Sequence, residues 1–237
     1  MVHNNLNVSF FGDSICFGLG VSINKIWVYQ IAEKLEKDLR GYDIVPLVQN
    51  YSINGNTTRM ALERMPIDIQ CKNIDVLVVQ LGINDCNFVD SDKGVSRVSI
   101  KAFEANLEEI IDRAMKSGVK KIILNTNHPL AICEDKIRFA GITYYESNRR
   151  YNEIIRNVAR GKSDYVIVVD MEKCLLQNAE MEDYSYLLDD LKHLSEKGHN
   201  LYFEYFYPIL FETAKPLARK TRAVEHKMGG TICLLDC

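Results

Sequence analysis

Val76-Leu77-Val78-Val79 is apolar at every position, so a strand built from it has no face fit for water. Such a strand must be covered on both sides, the condition of a parallel sheet held between two layers of helix. Val8-Ser9-Phe10-Phe11, Lys121-Ile122-Ile123-Leu124 and residues 165–170 read as further strands of the same kind. The segments between them carry helical spacing. Trp27, Ile31 and Leu35 share one face, and Phe103, Leu107, Ile110, Ile111 and Ala114 form a single stripe that Gly118 is placed to cap. Residues 44–51 form one more extended run, and Pro46 near its start points to a strand beginning or an edge. Short and longer helices are expected around residues 60–64, 144–159 and 195–211. Strands alternating with helices define the expected class: α/β, three-layer α/β/α, with a five-stranded and mainly parallel sheet.

The 237 residues suffice for one large domain, expected over 1–212. Residues 213–237 are rich in Lys and Arg, with Pro216 and Gly229-Gly230 breaking periodicity, and read as a C-terminal tail or an appended helix. A net charge of −3 provides no field for nucleic acid. No run reaches the ~18 apolar residues of a membrane span. The seven cysteines are odd in number and contain no Cys-x-x-Cys pair, which suits reduced thiols. The N-terminus lacks a basic leader, and its first apolar stretch leads directly into Ser14. A cytoplasmic protein is expected, without integral membrane association and with oligomerisation left open.

Four stations fall at the carboxyl ends of strands or in the loops behind them, the edge where open α/β sheets place ligands. Ser14 follows the first strand and offers a nucleophile. Gly55 permits a close backbone approach, and Asn84 brings an amide donor after the third strand. Asp190 and His193, three residues apart, pair an orienting carboxylate with a base whose ordinary pKa lies near neutrality. Acyl transfer needs these parts: nucleophile, base, a group fixing the base, and donors for an oxyanion, here the Ser14 and Gly55 N–H groups with the Asn84 amide. Taken alone, Ser14 and Asn84 would pass for turn residues, and Asp190 for a helix cap, although Ser195 suits that cap better.

Gly12-Asp13-Ser14-Ile15, the segment Ser52-Ile53-Asn54-Gly55-Asn56-Thr57-Thr58, Gly82-Ile83-Asn84-Asp85 and Asp190-Leu191-Lys192-His193 resemble the four blocks of the SGNH, or GDSL-type, hydrolases, in that family's order. The resemblance covers roughly residues 6–210. It implies the flavodoxin-like SGNH hydrolase fold, Ser14 as nucleophile, His193 as base, Asp190 as its partner, and Ser14, Gly55 and Asn84 as the oxyanion hole. Asp13 and Asp85 match positions that usually hold the loops. Ile15 stands where the family's common name has Leu, and Asn flanks Gly55 on both sides. Residues 127–141 match no block.

The remaining motifs are weak. His193, Glu196 and His199 lack zinc-protease spacing, Gly18-Leu19-Gly20 is followed by Ile23 where a third glycine belongs, and no Gly-x-Ser-x-Gly elbow occurs. His199 reads as a residue on a helix face. Neither metal nor organic cofactor is expected. The expected activity is that of a serine esterase working through an acyl-enzyme on a small-molecule ester or acylated glycan, with a short acyl or acetyl group favoured. Lysophospholipid or acyl-thioester hydrolysis, acyl transfer, and an idle binding module are the alternatives.

Overall fold

The computed structural model describes residues 4–42, 44–131, 136–177 and 184–227, with backbone alone over 219–227. Five strands, β1 (Asn4–Gly12), β2 (Ile44–Asn50), β3 (Val76–Gln80), β4 (Lys121–Asn125) and β5 (Val166–Val169), form one sheet. They pair in parallel throughout, in the order β2-β1-β3-β4-β5. The helices are α1 (Ser14–Phe17), α2 (Trp27–Asp38), α3 (Thr58–Met65), α4 (Ile100–Lys116), α5 (Tyr144–Val158), α6 (Met171–Leu176) and α7 (Glu196–Lys227).

Strand alternation splits the core in two. Leu6, Val8, Phe10, Val76, Val78 and Ile123 pack with the inner faces of α2, α6 and α7. Their neighbours Phe11, Leu77, Val79, Ile122 and Leu124 pack with α3, α4 and α5. Each apolar strand is therefore covered on both sides, the arrangement its composition requires. Pro46 lies in β2 at the sheet edge, where a missing N–H is tolerated. β1 begins at Asn4, earlier than its apolar run, because Asn4 already pairs with Ile44.

Trp27 joins three elements. Its ring is fully buried at 5.0–5.3 Å from Phe10, Tyr202 and Phe206, and its Nε1–H donates to the Ile15 carbonyl at 3.0 Å. Edge-to-face aromatic pairs add about 0.5–1.5 kcal/mol each beyond their burial. The cluster fixes α1 against α7, the two elements that bracket the strand ends.

The last helix corrects the expected end near Phe211: α7 continues to Lys227 and runs through residue 212. Leu210, Ala214, Leu217 and Ala218 are buried on one stripe, so packing sustains it. Pro208 and Pro216 lie on the exposed side, where water can serve the carbonyls of Glu204 and Glu212 that lose their partners. The remainder of the expected tail, 228–237, lies outside the described residues. Among those described, no helix is long and apolar enough to cross a membrane.

From β1 the chain passes to β2 on one side, while β3 lies on the other. The crevice between the carboxyl ends of β1 and β3 is the switch point at which such sheets bind ligands.

Candidate active site

Ser14 opens α1 immediately after β1. Asp13 caps this turn by accepting from the Ile15 N–H at 2.9 Å. The serine is only 3% exposed, with Oγ 2.9 Å from His193 Nε2. His193 Nδ1 lies 2.5 Å from Asp190 Oδ2, while Asp190 Oδ1 accepts from the backbone N–H groups of His193 (2.9 Å) and Lys192 (3.0 Å). A carboxylate can only accept, so Nδ1 carries the proton and Nε2 is left to receive one from Ser14. Burial works against the charge on Asp190, but these three donors outweigh it and hold the carboxyl down at about 2. The segment is set by the start of α7: the Ser195 N–H donates to the Tyr186 carbonyl at 2.9 Å, and Ser195 Oγ accepts from the Gly198 N–H at 3.3 Å.

The loops that carry the three oxyanion candidates are tied together by the Asn84 side chain. Asn84 Nδ2 donates to the Asn56 carbonyl at 3.1 Å and approaches Asp13 Oδ2 at 3.4 Å, which ties the β3 loop to the Gly55 loop and to the serine turn. Gly55 has φ +76°, and nothing lies within 4 Å of the place a Cβ would occupy. The φ is one that suits glycine, and no neighbour crowds the Cβ direction.

Asp13 and Asp85 serve loop backbone. Asp85 accepts from the Thr58 N–H at 3.0 Å and from Thr58 Oγ1 at 2.5 Å, at the start of α3. Burial raises Asp13 to about 7 and Asp85 to about 6; the bonds from Ile15 and from Thr58 pull the other way.

Sequence reasoning missed three residues here. Arg64, on α3, donates to Asn56 Oδ1 (2.7 Å) and to the carbonyls of Tyr51 (2.6 Å) and Gly12 (3.3 Å), pairs with Asp68, and lies over the Phe11 ring. It thereby joins the β1 end to the Gly55 loop. His128 is fully buried behind β4, between the Tyr202 hydroxyl (3.1 Å) and the Lys192 carbonyl (2.8 Å). Lys192 places Nζ 3.5 Å from Asn84 Oδ1. The position of His128 just behind a strand end, like those of Ser14 and Asn84, was the signal available for it. The stretch 127–141 that matched no block thus supplies a support of the site at its start. Asn127 and His128 are held by Asn148 and Asn152 of α5; residues 132–135 lie outside the described ones.

His199 lies on the inner face of α7, where Nδ1 accepts from the Trp27 N–H at 3.5 Å, and burial lowers it to about 4. Cys16 and Cys86 are buried free thiols. Burial raises Cys86 to about 12 and Cys16 well above its usual value, so neither is a ready nucleophile. Cys133, Cys233 and Cys237 lie outside the described residues. Among the described residues, no group of three or more His, Cys, Asp or Glu side chains is placed to hold a metal ion.

A cavity of ≈ 270 Å³ opens beside the array, between Asp190 and Ile83, with Leu130, Ala131 and Leu191 as apolar wall and Lys192 as its cation.

Comparison with known proteins agrees with this architecture. Esterase TesA of Pseudomonas aeruginosa is 29% identical over 118 residues, covering 50% of this chain and 53% of that protein. An arylesterase of Vibrio mimicus is 28% identical over an equal length, so the chain spans about half the length of the curated esterases it matches. The acetylxylan esterase Axe2 of Geobacillus stearothermophilus shares the fold at a TM-score of 0.69, with 20% identity over 90% of this chain and 95% of that one. The model of the GDSL-like Lipase/Acylhydrolase family matches residues 10–201, from within β1 to the first turns of α7. Since that stretch takes in the end of β1, the other four strands and all four stations of the crevice, the protein belongs to the GDSL-like lipase/acylhydrolase family.

Proposed function

We propose that the protein is a serine esterase that hydrolyses a carboxylic ester of a small molecule or an acylated glycan, with a short acyl group preferred. The observation that carries this reading is the continuous chain Ser14 Oγ, His193 Nε2, His193 Nδ1, Asp190 Oδ2, with separations of 2.9 and 2.5 Å. Ser14 Oγ attacks the ester carbonyl while His193 Nε2 takes its proton. The imidazolium that forms is held by the ionised Asp190. The carbonyl oxygen, now an anion, accepts from the Ser14 and Gly55 N–H groups and from Asn84 Nδ2; one such donor is worth about 10²–10³ in rate. Collapse expels the alcohol, which takes the proton from Nε2. Water then attacks the acyl-enzyme by the same steps in reverse, with His193 as base, and releases the acid. The chemistry asks for no metal or organic cofactor.

Two considerations support the esterase and its short acyl preference. Two of the curated relatives are named esterases. The cavity of ≈ 270 Å³ lies just below the ~300–1,000 Å³ of ordinary ligand sites, which suits a small group better than a long chain. The reduced-thiol composition keeps the cytoplasm as the proposed location.

The test is labelling by a fluorophosphonate, wild type against Ser14→Ala, followed by a chain-length series of p-nitrophenyl esters. Labelling confined to wild type and turnover greatest with acetate to butyrate are expected. An unlabelled wild type would overturn the esterase, and a maximum at long chains would overturn the acyl preference.

A further inference from the structure

Lys192 stands one residue before the proposed base and puts its charge in the cavity. Its main chain is fixed at both ends: the N–H donates to Asp190 Oδ1 at 3.0 Å and the carbonyl accepts from buried His128 at 2.8 Å. The side chain thus leaves a rigid stem, and its ammonium comes to 3.5 Å from Asn84 Oδ1. It lines the cavity together with the apolar Ile83, Leu130, Ala131 and Leu191 and the polar Asn87, Tyr144 and Asp190, whose carboxylate is already engaged by His193 Nδ1 and two backbone N–H groups. Setting an ammonium against an apolar wall costs hydration that only a charged or strongly polar partner restores. A neutral amide oxygen at 3.5 Å is a poor return for it.

We infer that Lys192 reads charge, and that the preferred substrate is an ester bearing a carboxylate or phosphate within a few bonds of the scissile carbonyl. This rests on the esterase reading of the same site and narrows its substrate class. A lysine is a point charge on a flexible stem, suited to either anion without demanding one geometry. The competing role is to steady Asn84 or add charge beside the oxyanion; it would serve every ester alike.

The test reads binding without turnover. Ser14→Ala protein is titrated, with NMR detection, by two anionic esters and their neutral isosteres. Monomethyl succinate is paired with methyl 4-methylpentanoate, and acetoxyacetate with isobutyl acetate, which places the charge on the acyl or the alcohol side. At least one anion is expected to bind about tenfold more tightly than its isostere. That preference should vanish when Lys192→Met is added and persist with Lys192→Arg. Absence of any preference, or a Lys192→Met change that leaves the preference intact or weakens both members of a pair equally, would overturn the inference. Labelling of Ser14 in the wild type is read separately, so a failed esterase and a failed charge reader give different results.

Discussion

His128 Nε2 donates to the main-chain carbonyl of Lys192 at 2.8 Å, from an imidazole with no exposed surface. The carbonyl can only accept, so Nε2 carries the proton and Nδ1 accepts from the Tyr202 hydroxyl at 3.1 Å. One neutral ring thereby ties the loop behind β4 and helix α7 to the segment that bears Asp190 and His193. Burial lowers its pKa to about 4, which keeps it in the neutral form this geometry requires.

Replacing His128 with Leu leaves the Lys192 carbonyl and the Tyr202 hydroxyl without their partner, at about 1–3 kcal/mol each. Urea denaturation at pH 7.5 should show a loss of that order, with kcat/KM down at least tenfold. The linkage has a definite sign. Below pH 6.5 the unfolded chain takes up a proton that the folded ring refuses until about pH 4. The stability this residue supplies is thus complete above pH 6.5 and is lost as pH falls toward 4. The gap between wild type and His128→Leu should narrow across that window; a gap that widens would contradict the neutral ring.

Arg64 holds the Gly12 and Tyr51 carbonyls and Asn56 Oδ1 with one guanidinium. Its fork serves several acceptors at once, which an ammonium cannot reproduce. Arg64→Lys should therefore lower kcat/KM by at least tenfold while Arg64→Met also costs about 2–4 kcal/mol of stability, read by steady-state kinetics and chemical denaturation.

Asp190→Asn removes the acceptor that sets the His193 tautomer. Because the Asp190 side chain is about half exposed, stability should hardly change. A fall of about 10⁴-fold in kcat is expected, with a matching fall in the rate of phosphonate labelling. Because Asp190 stays ionised down to about pH 2, it does not set the acid limb of the wild-type rate profile.

Gly198, in the first turn of α7, leaves no room for a side chain: an added Cβ would stand 2.1 Å from the Tyr186 carbonyl oxygen. The obstacle is backbone and cannot rotate away. Gly198→Ala should cost about 1–3 kcal/mol and loosen the segment that carries His193, seen as a lower urea midpoint together with slower labelling of Ser14.

Much of this was legible in the sequence because it is local. Both-sided apolar runs announce buried strands, the Phe103–Ala114 spacing announces the α4 stripe, and turn residues behind strands announce loops that face the crevice. The five strands, their parallel pairing and the four stations follow from such signals, each read within a few residues. What the sequence could not decide depends on contacts between distant parts. Ser14 and His193 are 179 positions apart, and only the strand order and the seating of α7 bring them to 2.9 Å. Pro216 looks like a helix breaker by local rule, but buried Ala214, Leu217 and Ala218 carry α7 past it, since packing energy outweighs one lost hydrogen bond on the exposed side. His128, Arg64 and Lys192 look like ordinary polar residues along the chain. Their meaning comes from which carbonyls and amides the three-layer packing sets within hydrogen-bond reach of them, and that is a property of the tertiary structure alone.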